Sequence, residues 1–229
     1  MTIKAVLFDL DNTLIDFLRM KKMSCEAAIS AMIDAGLPMS KQKATDILWN
    51  MYDRYGIEYG KIFQQFLMQT MGKIDWKILA SGIIAYRGVK AGFMEPYPHV
   101  IPTLIKLKQQ GYKLAVVSDA PRMKAWLRLA SMKITDFFDV VVTSDDASGK
   151  LKPDPLPYKI ALKKLKLRPD EVIFVGDNPN RDIKGAKRLG IVTVLAKYGK
   201  WSKPTDTSLR PDYEIDDVSE LLKILRGMR

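Results

Sequence analysis

Four short segments of the sequence hold acidic, hydroxyl and basic residues that could carry chemistry. The first, Asp9-Leu-Asp11-Asn-Thr13, places two carboxyl groups two residues apart and follows them with a hydroxyl. Carboxylates act as nucleophiles, as general acids or bases, and as ligands for hard cations, and lysine offsets negative charge. The three later segments are Ser118-Asp119, Lys150-Leu-Lys152-Pro-Asp-Pro155 and Gly176-Asp177-Asn-Pro-Asn-Arg-Asp182.

Each of these segments comes at or just after a short apolar run that is typical of a buried strand. The runs are continuous rather than alternating, which favours strands covered on both faces. Helical patterns lie between them, so the chain predicts βαβ units, a parallel sheet and an α/β core. Ligands bind beyond the carboxyl ends of such strands, and the four segments are therefore expected to meet there. The predicted strands are Ala5–Leu10, Lys113–Ser118, Val140–Thr143, Val172–Gly176, Thr193–Ala196 and Tyr213–Ile215.

The interval from residue 16 to residue 95 lacks strand-like runs and is predicted to be an inserted helical module. The α/β core is then formed by residues 1–15 and 96–229. Ser40 is a predicted N-cap. The basic residues Arg19, Lys21 and Lys22 could face the substrate, but a solvated helix face is the favoured prediction. The predicted helices are Leu18–Ala35, Ser40–Tyr55, Glu58–Met71 and Asp75–Lys90 in the module, and Val100–Gln110, Leu156–Leu167, Ile183–Leu189 and Val218–Leu225 in the core.

Composition excludes several classes of function. The formal charge is +11, but the 37 basic and 26 acidic residues are spread along the chain, which argues against a nucleic-acid partner. One cysteine and one histidine cannot build a zinc cluster. Apolar runs are too short to cross a membrane, and the N-terminus enters a strand pattern directly, so the expected location is the cytoplasm.

The four segments, in this order, resemble the motifs of phosphatases in the haloacid dehalogenase superfamily. Those motifs are Asp-x-Asp-x-Thr, a Ser or Thr, a Lys, and Gly-Asp-x-x-x-x-Asp, and the resemblance covers about residues 3–200. It implies a Rossmann-like parallel sheet of strand order 3-2-1-4-5 with a helical cap. The insertion at residues 16–95 matches that cap in position and helical character.

The resemblance implies a magnesium-dependent reaction on a phosphate ester. Asp9 would be the nucleophile and would form a phospho-aspartyl intermediate. Asp11 would act as general acid and then as general base. Mg²⁺ would be held by Asp9, the backbone carbonyl of Asp11, and Asp177, with Asp182 supporting the metal directly or through water.

Four further residues are implied to bind the phosphoryl group: Thr13, Ser118, Asp119 and Lys152. Lys152 would neutralise the phosphate and Asp9 as charge develops. Alternatives remain open for some of these positions. Asp119 also fits a turn acid before Pro121, Lys150 is a rival to Lys152, and Asp182 could be a helix N-cap.

The predicted function is therefore a phosphatase acting on a small phosphorylated metabolite. One alternative is a phosphosugar mutase of the same superfamily, which returns the phosphoryl group to the substrate. The other is a binding or regulatory protein that keeps the fold without turnover. No nucleic-acid or membrane partner is expected, and the protein is expected to be a monomer or a homodimer.

Overall fold

The computed structural model describes residues 2–199 and 209–228. The chain divides into two compact units, one formed by Met1–Asp16 with Glu95–Arg229 and the other by Phe17–Met94. The first is an α/β unit and the second is helical. None of the helices in the described ranges combines the length and apolar character needed to cross a bilayer.

The α/β unit is built on a parallel sheet. Within the described residues it has six strands in the order β3-β2-β1-β4-β5-β6. The predicted fold class and the strand order 3-2-1-4-5 are confirmed, and β6 extends the sheet at one edge. The strands are β1 Ala5–Phe8, β2 Lys113–Val117, β3 Val140–Val142, β4 Val172–Gly176, β5 Val192–Ala196 and β6 Tyr213–Ile215.

The two central strands, β1 and β4, lie at the point where the strand order reverses. All residues of both strands are buried, as their continuous apolar sequences require. Phe8 is in register with Val116 of β2 on one side and with Val175 of β4 on the other. The loops that follow β1, β2 and β4 therefore leave the sheet side by side.

Helices connect the strands of this unit. The helix at Arg122–Ser131 was not predicted. The predicted helix at Ile183–Leu189 is present but shorter, at Lys184–Lys187, and a π-helical turn at Pro179–Ile183 precedes it. Lys166 adopts a left-handed backbone conformation with φ of 58°, which ends α7 two residues earlier than predicted. The helices are α5 Val100–Gln109, α6 Arg122–Ser131, α7 Leu156–Leu165, α8 Lys184–Lys187 and α9 Leu221–Gly227.

The helical unit contains α1 Phe17–Asp34, α2 Lys41–Tyr55, α3 Ile62–Met71 and α4 Trp76–Gly92. Ser40 caps α2 as predicted, accepting a hydrogen bond from the amide of Lys43. α3 starts at Ile62 rather than Glu58. These helices enclose a core of their own that includes Met32, Leu48 and Phe66.

Two features of the helical unit depend on close packing. At Gly82 of α4, a Cβ atom would lie 2.2 Å from the Cε of Met32, so a larger residue there would require the Met32 side chain of α1 to move. The prediction that Lys21 lies on a solvated helix face is wrong, because only 6% of this residue is exposed. The Lys21 ammonium lies 4.2 Å from the ring centre of Tyr52 and 3.2 Å from the hydroxyl of Tyr86.

The chain leaves and re-enters the α/β unit at one place. Ile15 and Pro96 form an isolated antiparallel bridge, and the amide of Tyr97 donates to the carbonyl oxygen of Leu14 at 2.9 Å. The two segments that flank the helical unit are thus fastened to each other within the α/β unit.

Candidate active site

The loop after β1 presents the first acidic pair. The amide of Asp9 donates to the carbonyl of Val175 at 2.8 Å, which continues the sheet pairing one residue past β1. The chain then turns sharply, with Asn12 at φ of 61° and the amide of Leu14 donating to the carbonyl of Leu10. Asp9 is buried and Asp11 is partly exposed. The loop backbone is therefore held by the sheet and by its own turn.

Three carboxyl groups meet at the ends of β1 and β4. Oxygen atoms of Asp9, Asp177 and Asp182 all lie within 4.8 Å of one another, and all three residues are buried. Both carboxylate oxygens of Asp177 are buried without a hydrogen-bond partner in the part of the chain that the structure describes. Buried carboxylate oxygens that lack donors fit a hard cation such as Mg²⁺, which takes oxygen ligands.

Lys152 lies between two of these carboxylates. Its Nζ is 2.6 Å from Oδ1 of Asp9 and 2.7 Å from Oδ1 of Asp182, and its side chain is 1% exposed. Burial opposes the charged form, but the carboxylates of Asp182 and Asp9 outweigh it and raise the pKa of Lys152 well above its usual value. The rival residue Lys150 is exposed and lies 3.9 Å from Asp154.

The acid cluster carries more negative than positive charge. If Asp9, Asp177, Asp182 and Lys152 are all ionised, two negative charges are in excess, and a divalent cation would balance them. Without a cation, burial and the negative charges of Asp182 and Asp9 raise the pKa of Asp177 to about 9. The charges and the unpartnered oxygens thus both fit a divalent cation at Asp177.

The loop after β4 holds Asp182 in place. The amide of Asn178 donates to Oδ2 of Asp182 at 2.9 Å, while Oδ1 faces Lys152. One oxygen of Asp182 thus accepts a hydrogen bond from its own loop and the other forms an ion pair with Lys152, which suits a residue that supports Lys152. Tyr158 of α7 donates its hydroxyl hydrogen to the backbone carbonyls of Arg181 and Asp182, 3.1 and 3.2 Å away. Sequence reasoning missed Tyr158, whose position in a predicted buried helix gave no chemical signal.

The segment after β2 contributes Ser118 and Asp119. The Ser118 hydroxyl is nearly buried and accepts a hydrogen bond from the amide of Ala120 at 3.1 Å. Asp119 accepts from the amide of Lys152 at 2.9 Å with one oxygen and lies 3.2 Å from the guanidinium of Arg181 with the other. These contacts make Asp119 a residue that fixes the Lys152 loop. The Thr13 hydroxyl is fully buried and has no hydrogen-bond partner among the described residues.

Asp11 is paired with a residue that sequence reasoning missed. Nη1 of Arg128 lies 2.9 Å from Oδ2 of Asp11, and the arginine side chain is 3% exposed. Arg128 lies on α6, where it shares the buried face with Ala125 and Leu129. An arginine at an apolar position of a helical repeat is a signal that could have identified it, but α6 itself was not predicted.

Two glycines let the loops of the site approach closely. A Cβ at Gly176 would lie 2.6 Å from the Cβ and Cγ of Asp182, and a Cβ at Gly199 would lie 1.5 Å from the carbonyl oxygen of Asn12. No side chain fits at either position without movement of the backbone or of Asp182. Glycine at positions 176 and 199 therefore allows the loops of the site to lie this close to Asp182 and to Asn12.

The fold and the site define a hydrolase built on a parallel sheet, with carboxylates at the ends of its two central strands and a buried lysine between them. Residues 6–196 match the family model described as haloacid dehalogenase-like hydrolase, and the chain belongs to that family. The resemblance inferred from the four motifs is confirmed.

Relatives that match over nearly their whole length include named phosphatases. The chain is 39% identical over 227 residues to the glyceraldehyde 3-phosphate phosphatase of Methanocaldococcus jannaschii, covering 99% of both proteins. It is 32% identical over 232 residues to the pyrophosphatase PpaX of Bacillus cereus, covering 100% of the chain and 99% of that protein. The crystal structure of a phosphatase of this family from Thermococcus onnurineus matches with a TM-score of 0.67 and 27% identity over 98% of the chain and 99% of that structure.

Proposed function

We propose that this protein is a Mg²⁺-dependent phosphatase that hydrolyses a small phosphorylated metabolite through a phospho-aspartyl intermediate on Asp9. The observation that carries the proposal is the buried cluster in which Lys152 Nζ lies 2.6 Å from Asp9 while Asp177 keeps both oxygens free of donors among the described residues. A carboxylate nucleophile, a fixed positive charge and an oxygen-rich cation site are the parts that transfer of a phosphoryl group requires.

The side chains have distinct roles in this reaction. Asp9 attacks phosphorus, the bond from phosphorus to the ester oxygen breaks, and Asp11 gives a proton to the leaving oxygen. Asp11 then takes a proton from the water that attacks phospho-Asp9, which releases phosphate and restores both carboxyl groups. Lys152 stabilises the negative charge, with Ser118 and Thr13 as the hydroxyl contacts for phosphate. Bound Mg²⁺, held by Asp9, Asp177 and the carbonyl of Asp11, would neutralise charge between nucleophile and phosphate.

The substrate is proposed from the relatives. Glyceraldehyde 3-phosphate is the first candidate, because the relative of that name is 39% identical over nearly the whole of both proteins. Pyrophosphate is the second, on the more distant relation to PpaX. The helical unit, Phe17–Met94, is proposed to serve as the cap that selects among substrates. Product analysis with glucose 1-phosphate separates a phosphatase, which releases phosphate, from a mutase, which returns an isomeric sugar phosphate.

The experiment that tests the reaction class compares the wild type with Asp9→Asn on p-nitrophenyl phosphate, with Mg²⁺ and with chelator. We expect release of nitrophenol that requires Mg²⁺ and that falls at least ~10³-fold in the variant, because the nucleophile is lost. Asp136→Asn, which changes an exposed acid of the same unit, is the matched control and should keep full activity. Acid quenching followed by mass spectrometry should find phosphate on the peptide that contains Asp9.

Two outcomes would contradict the proposal. One is turnover by folded Asp9→Asn at the wild-type rate, which would exclude Asp9 as nucleophile. The other is full activity in chelator, which would exclude the metal requirement. A panel of glyceraldehyde 3-phosphate, pyrophosphate and glucose 1-phosphate then ranks the substrates by kcat/KM.

A further inference from the structure

The ion pair between Asp11 and Arg128 joins the loop after β1 to the helix after β2. The two residues are 117 positions apart in the sequence, and the distance from Nη1 to Oδ2 is 2.9 Å. Among the acids named for the reaction, Asp11 has the most exposed side chain, at 21%, compared with 4% for Asp9 and 0% for Asp182. The carboxylate of Asp11 is therefore only partly buried.

A buried arginine is a costly way to fill this position on α6. Its neighbours on the buried face are Ala125 and Leu129, and an apolar side chain of similar volume would continue the pattern. Removing a guanidinium from water costs several kcal/mol, and replacing a buried ion pair by apolar side chains is often neutral or stabilising. Stability alone thus gives a weak reason for an arginine here.

The loop that carries Asp11 fixes the backbone of this residue, and contacts of the side chain set the orientation of its carboxylate. Hydrogen bonds from Asn12 to Ile15 and from Leu14 to Leu10 set the turn. Rotation about the side-chain bonds of Asp11 would still move the carboxylate by more than the roughly 0.5 Å that proton transfer tolerates. The guanidinium of Arg128, held on a helix, supplies a fixed point that selects one orientation.

We propose that Arg128 is a positioning residue of the active site, which holds the carboxylate of Asp11 in the orientation needed to transfer a proton to the leaving oxygen. The inference rests on the proposed function, because it assigns Arg128 a role only if Asp11 is the acid and base of the reaction. The proposal adds to the site a residue of α6, a helix that contains none of the four motifs.

The test uses two aryl esters of nearly the same shape. Phenyl phosphate releases a basic phenolate that needs a proton, whereas p-nitrophenyl phosphate releases a weak base that does not. For both esters kcat/KM depends only on the steps up to and including phosphorylation of Asp9. A loss that is larger for phenyl phosphate therefore reports proton donation to the leaving oxygen. In Arg128→Met we expect kcat/KM for phenyl phosphate to fall ~10- to 100-fold, part of the 10²- to 10⁴-fold that a general acid contributes. For p-nitrophenyl phosphate the fall should be less than about 3-fold.

Arg122→Met is the matched control, since it makes the same substitution on the same helix at an exposed position. Its side chain is 55% exposed and lies 3.2 Å from Asp146, an acid that has no role in the proposed reaction. This variant should keep both kcat/KM values. Arg128→Lys, which keeps the charge, should recover part of the loss on phenyl phosphate and serves as the second variant where Arg128→Met folds poorly.

A double variant of Arg128 and Asp11 distinguishes an effect of Arg128 through Asp11 from an independent effect. Because Arg128 acts through Asp11, adding Arg128→Met to Asp11→Asn should change kcat/KM for phenyl phosphate by less than about 2-fold, whereas independent effects would multiply. Equal losses on both esters, or full multiplication in the double variant, would overturn the inference. These outcomes are distinct from failure of the proposed function, in which the wild type itself or Asp9→Asn gives the contradictory result.

Discussion

Lys152 carries its positive charge where water cannot stabilise it, so its ionised form depends on Asp9 and Asp182. The carboxylates depend on the lysine in turn, because all three side chains are 4% exposed or less. Removing one partner from such a group leaves an uncompensated buried charge, which is more damaging than losing the interaction alone. The same ammonium is proposed to stabilise the transferring phosphoryl group.

Replacing this lysine by methionine should therefore damage both catalysis and folding. In Lys152→Met we expect kcat on p-nitrophenyl phosphate to fall at least ~10²-fold, the usual cost of removing a charge aimed at the transition state. Urea unfolding should show a free energy lower by about 3 kcal/mol, because Asp9 and Asp182 lose their counter-charge. Lys150→Met is the control, and this exposed residue two positions away should change neither quantity. Activity within a few-fold of wild type in Lys152→Met would exclude the proposed role.

Asp177 makes the stability of the metal-free protein depend on pH. Its pKa is raised from 3.8 to about 9 in the folded protein, by burial first and then by Asp182 and Asp9. Between those two values the folded state binds more protons than the unfolded state, so the free energy of unfolding falls as pH rises. In Asp177→Asn the side chain cannot ionise, and this fall is removed.

We therefore expect metal-free Asp177→Asn to gain stability relative to metal-free wild type between pH 5 and pH 8, by up to about 4 kcal/mol, which is about 1.4 kcal/mol for each pH unit. Urea unfolding in chelator at the two pH values measures the difference. Added Mg²⁺ should stabilise the wild type more at pH 8 than at pH 5, since metal and proton compete for the carboxylate, and should stabilise the variant little. An unchanged stability difference at the two pH values would contradict a raised pKa at Asp177.

At the scale of the elements, the end of β4 is shaped by Gly176. A Cβ there would lie 2.6 Å from the Cβ, Cγ and Oδ2 of Asp182, and the backbone angles of this glycine are open to any residue. Gly176→Ala thus tests a purely steric effect. We expect it to displace Asp182, to lower kcat at least ~10-fold through Lys152, and to lower the free energy of unfolding by about 1–3 kcal/mol.

Gly88→Ala in α4 is the matched control for that substitution. No heavy atom lies within 4 Å of a Cβ built at Gly88, so alanine meets open space. The helix should gain up to about 1 kcal/mol from the higher propensity of alanine, with kcat unchanged. Retention of full activity by Gly176→Ala would mean that the loop after β4 can shift without disturbing Asp182.

The strands were predictable because burial on both faces produces continuous apolar runs, as in Val172–Gly176, whose bounds are confirmed. α6 was not predictable by the same means. Its buried face consists of Ala125, Arg128 and Leu129, so an arginine interrupts the apolar repeat that identifies helices. The π-helical turn at Pro179–Ile183 was also missed, because side chains that bond its backbone give it its shape. The side chain of Asn178 accepts a hydrogen bond from the amide of Asn180, and Tyr158 donates one to the carbonyl of Arg181.

The acids and the lysine of the candidate site could be singled out from the sequence because they follow predicted strands and match the order of the four family motifs. Their partners could not, because contacts such as Arg128 with Asp11 depend on how separate helices pack. Asp119 illustrates the difference. The sequence left open whether Asp119 contacts phosphate or forms a turn before Pro121. In the structure its two oxygens face the Lys152 amide and Arg181.

At the scale of the whole molecule, each unit has a core of its own. Leu7, Tyr158 and Phe174 belong to the core of the α/β unit, and Met32, Leu48 and Phe66 belong to that of the helical unit. The helical unit begins and ends beside the bridge between Ile15 and Pro96, which belongs to the α/β unit. If the helical unit were deleted, a short linker could therefore join residue 16 to residue 95 of the α/β unit.

We expect a variant in which residues 17–94 are replaced by a short Gly-Ser linker to fold, with the circular dichroism of an α/β protein and stabilisation by Mg²⁺. The proposed nucleophile, lysine and metal ligands all lie outside the deleted residues, so hydrolysis of p-nitrophenyl phosphate should persist at a reduced rate. The kcat/KM for glyceraldehyde 3-phosphate should fall at least ~10-fold further, because a cap supplies substrate contacts and excludes water. Equal losses on the two esters would argue that the helical unit does not select the substrate, and an unfolded product would show that the α/β unit needs it to fold.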